Sequence, residues 1–343
     1  MMNNDFQMSW HSSDDYPEWG SAPRYPLVCF DMAHQGEWMD SVIGPDVVTG
    51  TPMIYHIVRC ELCIATHVWP LPSQDSLSRY YAERFYQEDK PDYVARYEAD
   101  RKWWECCGHE PILEACTHHL RVGSPGKDQI RFLDIGAGPG IALDCAKRRG
   151  WGTWAVEPNQ ELSSRCAARG HVMMKGILEE ALPTSACVDT LPWPAPWHVL
   201  YLYEVLEHQI CPEEFLLRCY DLLAPGGVLA VVVPNDWNIL QLEACKKLHL
   251  PHWFISPPQH LWMFTPKCLQ LLLRRCGFDI VDARATFPLE KFLLEGRWYV
   301  GNDVIGRACH QERMTYELEA VATGKWPQLE QTYRINMTKR IGR

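Results

Sequence analysis

The chain has 343 residues, 47% of them hydrophobic, and a formal net charge of −10. That length suits one large α/β domain with additions, and the acidic balance excludes the broad basic face that nucleic acid requires. The start MMNNDFQMSW does not read as a signal peptide, and no apolar run reaches the length of a membrane span. Fifteen cysteines then indicate free thiols or a metal in a reducing, cytoplasmic setting, not a disulfide framework.

Residues 1–70 read as a loop-rich head with short β-like pieces such as MIYHIVRCELC. Its CELC stretch, Cys60 and Cys63, is half of a zinc site. Upstream, LVCFDMAH supplies Cys29; a second cysteine would fall at Met32, and His34 is the replacement. Cys29, His34, Cys60 and Cys63 are therefore the candidate zinc ligands, against the alternative that the cysteines pack as small hydrophobes. Residues 71–122 carry helical patterns, and DSLSRYYAERFYQ brings Tyr81, Phe85 and Tyr86 together by helical spacing, with Tyr80 beside them. Cys106, Cys107, His109, Cys116, His118 and His119 have no regular ligand spacing and read as helix surface and core. VGSPGKDQ (122–129) is a turn-rich linker.

The stretch FLDIGAGPGIALD (132–144) reads as a buried strand, a glycine turn and a helix. Gly136, Gly138 and Gly140 permit positive φ and leave room for a ligand against the main chain. A helix fits Ile141 to Arg149, capped by Gly150, and a second strand from Gly152 ends at Glu157. This is the first half of a doubly wound nucleotide-binding sheet. A dinucleotide site needs a glycine where Ile141 stands, which disfavours a nicotinamide-dependent reductase. The spacing here is G-x-G-x-G, preceded by Asp134. A carboxylate beside the turn suits a cationic ligand, and Glu157 can accept from both ribose hydroxyls of an adenosine. S-adenosylmethionine has both features.

From Gly123 to Ala285 the chain resembles class I S-adenosylmethionine-dependent methyltransferases. LDIGAGPG and AVEPN match the first two motifs of that family, LYLYEVLEH its fourth strand and exit, LLAPGGVLAVVVPN the following turn and strand, and HLWMFTPKCLQLLLRRCGFDIVD the late helix and sixth strand. The resemblance implies a Rossmann-like, mostly parallel sheet of seven strands over residues 123–287. Residues 71–122 would fold over the site as a helical lid, and 288–343 form a C-terminal extension with a helix from Glu312 to Ala322. The head is similar to the two-pair cysteine zinc module that precedes P-x-P…YY…Y in some methyltransferases, sugar-modifying ones included.

The same resemblance orders the cofactor contacts: Asp134 at the methionine end; Gly136, Ala137, Gly138 and Gly140 in the turn; Glu157 on the ribose; Pro158 at the adenine edge; Ile177 and Leu178 along the adenine; Tyr203 and Glu204 beside the sulfonium. His208, just beyond the fourth strand, is the first candidate for general base, against a loop-holding histidine; its unperturbed pKa suits the task. His260 is the second, against a structural lead into the next helix, capped by Thr265 ahead of Pro266. The N/D-P-P-Y of amino-group methyltransferases is absent, and Glu204 with Asn235 and Asp236 only loosely echoes the metal-dependent catechol type. The expected reaction is methyl transfer to oxygen or carbon of a small molecule, first a sugar or nucleotide sugar, then a quinone-type phenol. A cofactor-binding scaffold without catalysis is the non-enzymatic alternative. Oligomeric state is left open.

Overall fold

The computed structural model describes residues 24–29, 32–60, 65–120, 130–181, 196–323 and 333–340; the side chains of 24–35, 60, 179 and 333–340 lie outside that description. In chain order the strands are β1 (Arg24–Cys29), β2 (Met32–Pro45), β3 (Pro52–Cys60), β4 (Thr66–Trp69), β5 (Arg131–Ile135), β6 (Gly152–Glu157), β7 (Val172–Lys175), β8 (Trp197–Tyr203), β9 (Leu223–Pro234), β10 (Trp262–Met263), β11 (Phe278–Ala285) and β12 (Tyr333–Arg340).

Seven strands form the main sheet in the order β11-β12-β9-β8-β5-β6-β7. Strands β9, β8, β5, β6 and β7 are mutually parallel, and β12 runs antiparallel to both β9 and β11. The seventh strand thus comes from residues 333–340, within the segment read as a C-terminal extension. Its sequence, YRINMTKR, alternates Tyr333, Ile335 and Met337 with polar residues, a short period-2 signal that the reading of a C-terminal extension did not use. The helix before it runs over Asp303–Ala322, nine residues longer at its start than the expected Glu312, because Asn302 caps Ile305 N–H.

Alternation along the central strands splits the core between the two sheet faces. Leu133 and Ile135 of β5, Leu200 and Leu202 of β8, and Leu229, Val231 and Val233 of β9 pack on one face. Phe132, Val199, Tyr201, Val228, Ala230 and Val232 pack on the other. Each fully buried side chain of this kind contributes about 1.5–3 kcal/mol.

The head is more ordered than loop-rich. Strands β1 to β4, with β10, make a five-stranded antiparallel sheet. Its Val42, Tyr55, Ile57 and Val68, with Leu77 and Tyr80 of the helix Gln74–Glu83, join the same hydrophobic cluster as Leu133 and Leu200. Head, first helix and main sheet therefore share one core. Thr265 caps the helix Pro266–Arg275 as its sequence predicts, with the Cys268 N–H donating to its hydroxyl.

Candidate active site

A cavity of about 740 Å³ opens at the carboxyl ends of β5, β6 and β8, the position where doubly wound sheets bind ligands. One half of it is the glycine turn. Gly136 has φ +76°, and a Cβ there would lie 2.7 Å from Val205 Cγ2. Only glycine fits: the turn must adopt a left-handed conformation and admit the loop that leaves β8. Gly140 lies off the cavity wall; it is the left-handed N-cap of the helix Ile141–Arg148. The other cofactor candidates all line the cavity: Asp134, Gly136, Ala137, Gly138, Glu157, Pro158, Ile177, Leu178, Tyr203 and Glu204.

Glu157 is tied into the turn. The Gly138 N–H donates to its Oε2 at 2.8 Å and the Asn159 N–H to its Oε1 at 2.8 Å. A carboxylate has about four acceptor sites, so two remain for a diol. Burial holds the Glu157 carboxyl up at about 7, against the pull of those two N–H donors. Burial, then the charge of Glu157, raises Asp134 to about 8. Burial likewise brings Glu204 to about 7. Three crowded, desolvated acids around one cavity favour a ligand that brings positive charge. With the diol acceptor and the apolar Ile177–Leu178 edge, this donor set fits S-adenosylmethionine.

The second half is assembled from distant segments. Tyr81, Phe85, Tyr86, Tyr93 and Tyr97 line it from the helical segment that precedes β5, and Tyr203 from β8. Their rings run in contact: Tyr81–Phe85 at 5.3 Å, Phe85–Tyr86 at 4.9 Å, Tyr86–Tyr93 at 5.6 Å and Tyr93–Tyr97 stacked at 4.4 Å. The chain leaves β8 through Glu204, whose φ of 54° is left-handed. For a non-glycine residue this stores about 1–3 kcal/mol. It turns the chain into a single 3₁₀ turn, Leu206–His208.

His208 and His260 both line this half, ring to ring at 5.2 Å. Burial lowers His208 to about 4, opposed by hydrogen bonds to the Gln259 and Glu204 carbonyls. Burial, the His208 ring and Lys90 lower His260 to about 3. Both are neutral near pH 7. Beneath them lies Glu207, fully buried, with no hydrogen-bond partner for either carboxylate oxygen among the described residues. Burial first, then the charges of Glu204 and Asp236, hold it well above the carboxylate range. Glu207, His208 and His260 place ligand atoms within 4.8 Å of one another, a grouping able to hold a metal ion. Sequence reading passed over Glu207, although it adjoins His208 in VLEHQ. It also passed over Gln259, which acts through its backbone carbonyl and leaves no residue signature.

Of the candidate zinc ligands, Cys63 lies outside the described residues, as do the side chains of Cys29, His34 and Cys60. By backbone, Cys29 pairs with Met32 in the β1–β2 hairpin, and Cys60 pairs with Gly36. In the second cysteine–histidine cluster His109 is buried, at 2.8 Å from the Tyr201 hydroxyl, and burial lowers it to about 3.

A family model described as a methyltransferase domain matches residues 108–283. The ubiquinone biosynthesis O-methyltransferase of Caulobacter sp. (strain K31) is 30% identical over 225 residues, covering 61% of this chain and 88% of that protein. The mitochondrial enzyme of that name from Rattus norvegicus is 24% identical over 210 residues, covering 59% of this chain and 58% of that protein. Among solved structures, an S-adenosylmethionine-dependent methyltransferase from Archaeoglobus fulgidus superposes with a TM-score of 0.44 at 18% identity, covering 72% of this chain and 99% of that one. The strand order, the glycine turn after β5 with Glu157 at the end of β6, and the family match lead to one conclusion: the chain belongs to the methyltransferase-domain family and is a class I S-adenosylmethionine-dependent methyltransferase.

Proposed function

We propose that the chain methylates a phenolic oxygen of a small aromatic molecule, with His208 taking the hydroxyl proton. The observation that carries this reading is the acceptor half of the cavity, a run of aromatic rings ending at a neutral, half-buried histidine. Flat rings are bound well by stacked and edge-on aromatic walls. The O-methyltransferase relatives favour the same reading over a sugar acceptor, since both are named for ubiquinone biosynthesis.

S-adenosylmethionine, when bound, supplies a methyl group on a cationic sulfur. Glu157 would accept from the ribose, Asp134 would face the ammonium, and Ile177 and Leu178 would cover the adenine. The aromatic wall would hold the acceptor ring so that its oxygen meets the methyl in line, and it would exclude water. The proton on that oxygen passes to His208, where the Gln259 and Glu204 carbonyls favour the charged ring.

The test is an acceptor panel with methyl-labelled cofactor. Catechol and dihydroxybenzoates should yield a labelled methoxy group, and nucleotide sugars none. Labelling of the sugars alone would overturn the acceptor assignment. A second reading is favoured by the unpartnered Glu207 carboxylate and its two histidine neighbours: a divalent cation on Glu207, His208 and His260 that would bind the acceptor oxygens. Loss of turnover on chelation, restored by Mg²⁺ or Zn²⁺, separates it from metal-free proton abstraction.

A further inference from the structure

Tyr81 belongs to the helix Gln74–Glu83, far in sequence from the histidines. Its hydroxyl lies 2.8 Å from His208 Nδ1 and 3.1 Å from the Gln259 carbonyl oxygen. His208 Nδ1 is also in hydrogen-bond contact with that carbonyl. The two rings meet edge to face at 5.5 Å. Three polar atoms thus form a closed triangle, and proton bookkeeping decides how it is populated. A carbonyl oxygen only accepts, through two lone pairs. If Nδ1 were bare, its lone pair would face the carbonyl lone pairs, and the one Tyr81 proton could not serve both acceptors. With the proton on Nδ1, that N–H points at the carbonyl and at the tyrosine oxygen, and Tyr81 donates to the carbonyl. Every donor then has an acceptor.

We propose that Tyr81 is a positioning residue: with the Gln259 carbonyl it holds neutral His208 as the Nδ1–H tautomer, so that Nε2 is bare when the lid helix is seated. The inference rests on His208 being the reacting group, as base or as cation ligand, because both roles need a bare Nε2. Burial keeps the Tyr81 hydroxyl protonated, its pKa well above the usual tyrosine value. The other groups facing His208 make no close hydrogen bond to it in place of the Nδ1 triangle. The Glu207 carboxyl is 3.8 Å from Nε2, beyond hydrogen-bond reach, and His260 presents its ring, while the Glu204 carbonyl favours an added proton on the ring. Lid seating and base readiness are then one event.

The test uses the full chain labelled with ¹⁵N-histidine, with His208 assigned by the signals lost in His208→Gln. Long-range ¹H–¹⁵N correlation on wild type should show Nδ1 protonated and Nε2 bare. In Tyr81→Phe the His208 signals should move to a tautomer mixture. Its kcat should fall roughly tenfold, as for loss of one such hydrogen bond, with a displaced acid limb in the kcat–pH profile and an unchanged KM for the cofactor. A wild-type His208 protonated on Nε2 overturns the proposal, and that measurement stands even where Tyr81→Phe fails to fold. A folded Tyr81→Phe with the wild-type tautomer and pH profile overturns it too. Wild-type turnover in His208→Gln would instead overturn the reading of His208 as the reacting group.

Discussion

The two halves of the cavity are built differently. Most of the cofactor half comes from consecutive elements, β5 to β7 with their turns, in order from Asp134 to Leu178, with Tyr203 and Glu204 added at the end of β8. The acceptor half joins the lid helix, the exit of β8 and the segment before β10; Tyr81 and Gln259 are 178 positions apart yet bonded. The acceptor half exists only when the head, lid and main sheet have closed on their shared core.

This difference predicts two separable kinds of damage. The largest effect is expected at the acceptor half: His208→Gln should lower kcat by about 10²- to 10⁴-fold, as for loss of a general base, while calorimetry shows unchanged cofactor affinity. Next, Asp134→Ala and Glu157→Ala should each weaken cofactor binding by roughly tenfold to a hundredfold, the usual cost of a charge-assisted hydrogen bond. Unchanged affinity in both variants would remove the cofactor half from its assigned place.

The same difference explains what the sequence made legible. Strand, turn, helix and terminal acid are local, so LDIGAGPG and Glu157 could be read directly, and the cavity collects every cofactor candidate except Gly140. Gly140 instead caps the following helix in the left-handed conformation, a second use of glycine that spacing alone does not separate from ligand access. His208 and His260 could be singled out by residue type, but not their meeting, which depends on a loop crossing. Glu207 was hidden as an ordinary helix acid until its burial was visible. The lid tyrosines were legible as a cluster, since their spacing is helical. Strand β12 was not, because its place between β9 and β11 is set by pairing with residues roughly 50 to 110 positions upstream, which a local pattern does not reveal.

Smaller effects sharpen the contrast. Tyr93→Ala removes one ring from the aromatic run and should raise the acceptor KM by roughly two- to tenfold, the worth of an aromatic pair, leaving the cofactor KM alone. A change confined to the cofactor would reassign the lid. The pH dependence of stability should be milder still. Asp134, Glu157, Glu204 and Asp236 sit at about 8, 7, 7 and 8, above their values of 3.8 or 4.5 in an unfolded chain. The native state therefore holds more protons than the unfolded one, and stability falls as pH rises through that window. Below about 6.5 the neutral histidines His109, His208 and His260 oppose this, because the unfolded chain then takes up the extra protons. Ligand-free protein should thus melt lower at pH 8.5 than at pH 6.5, and added S-adenosylmethionine should recover more at the higher pH. Equal melting temperatures would show that these acids ionise freely.

The division of labour between the halves is tested most directly by single-turnover methyl transfer to catechol at saturating labelled cofactor, in Glu157→Ala and His208→Gln side by side. Saturation should restore Glu157→Ala to nearly the wild-type rate, because its defect is in binding, while His208→Gln stays at least about a hundredfold slow. A Glu157→Ala variant as slow as His208→Gln at saturation, or a His208→Gln variant as fast as wild type, would contradict it.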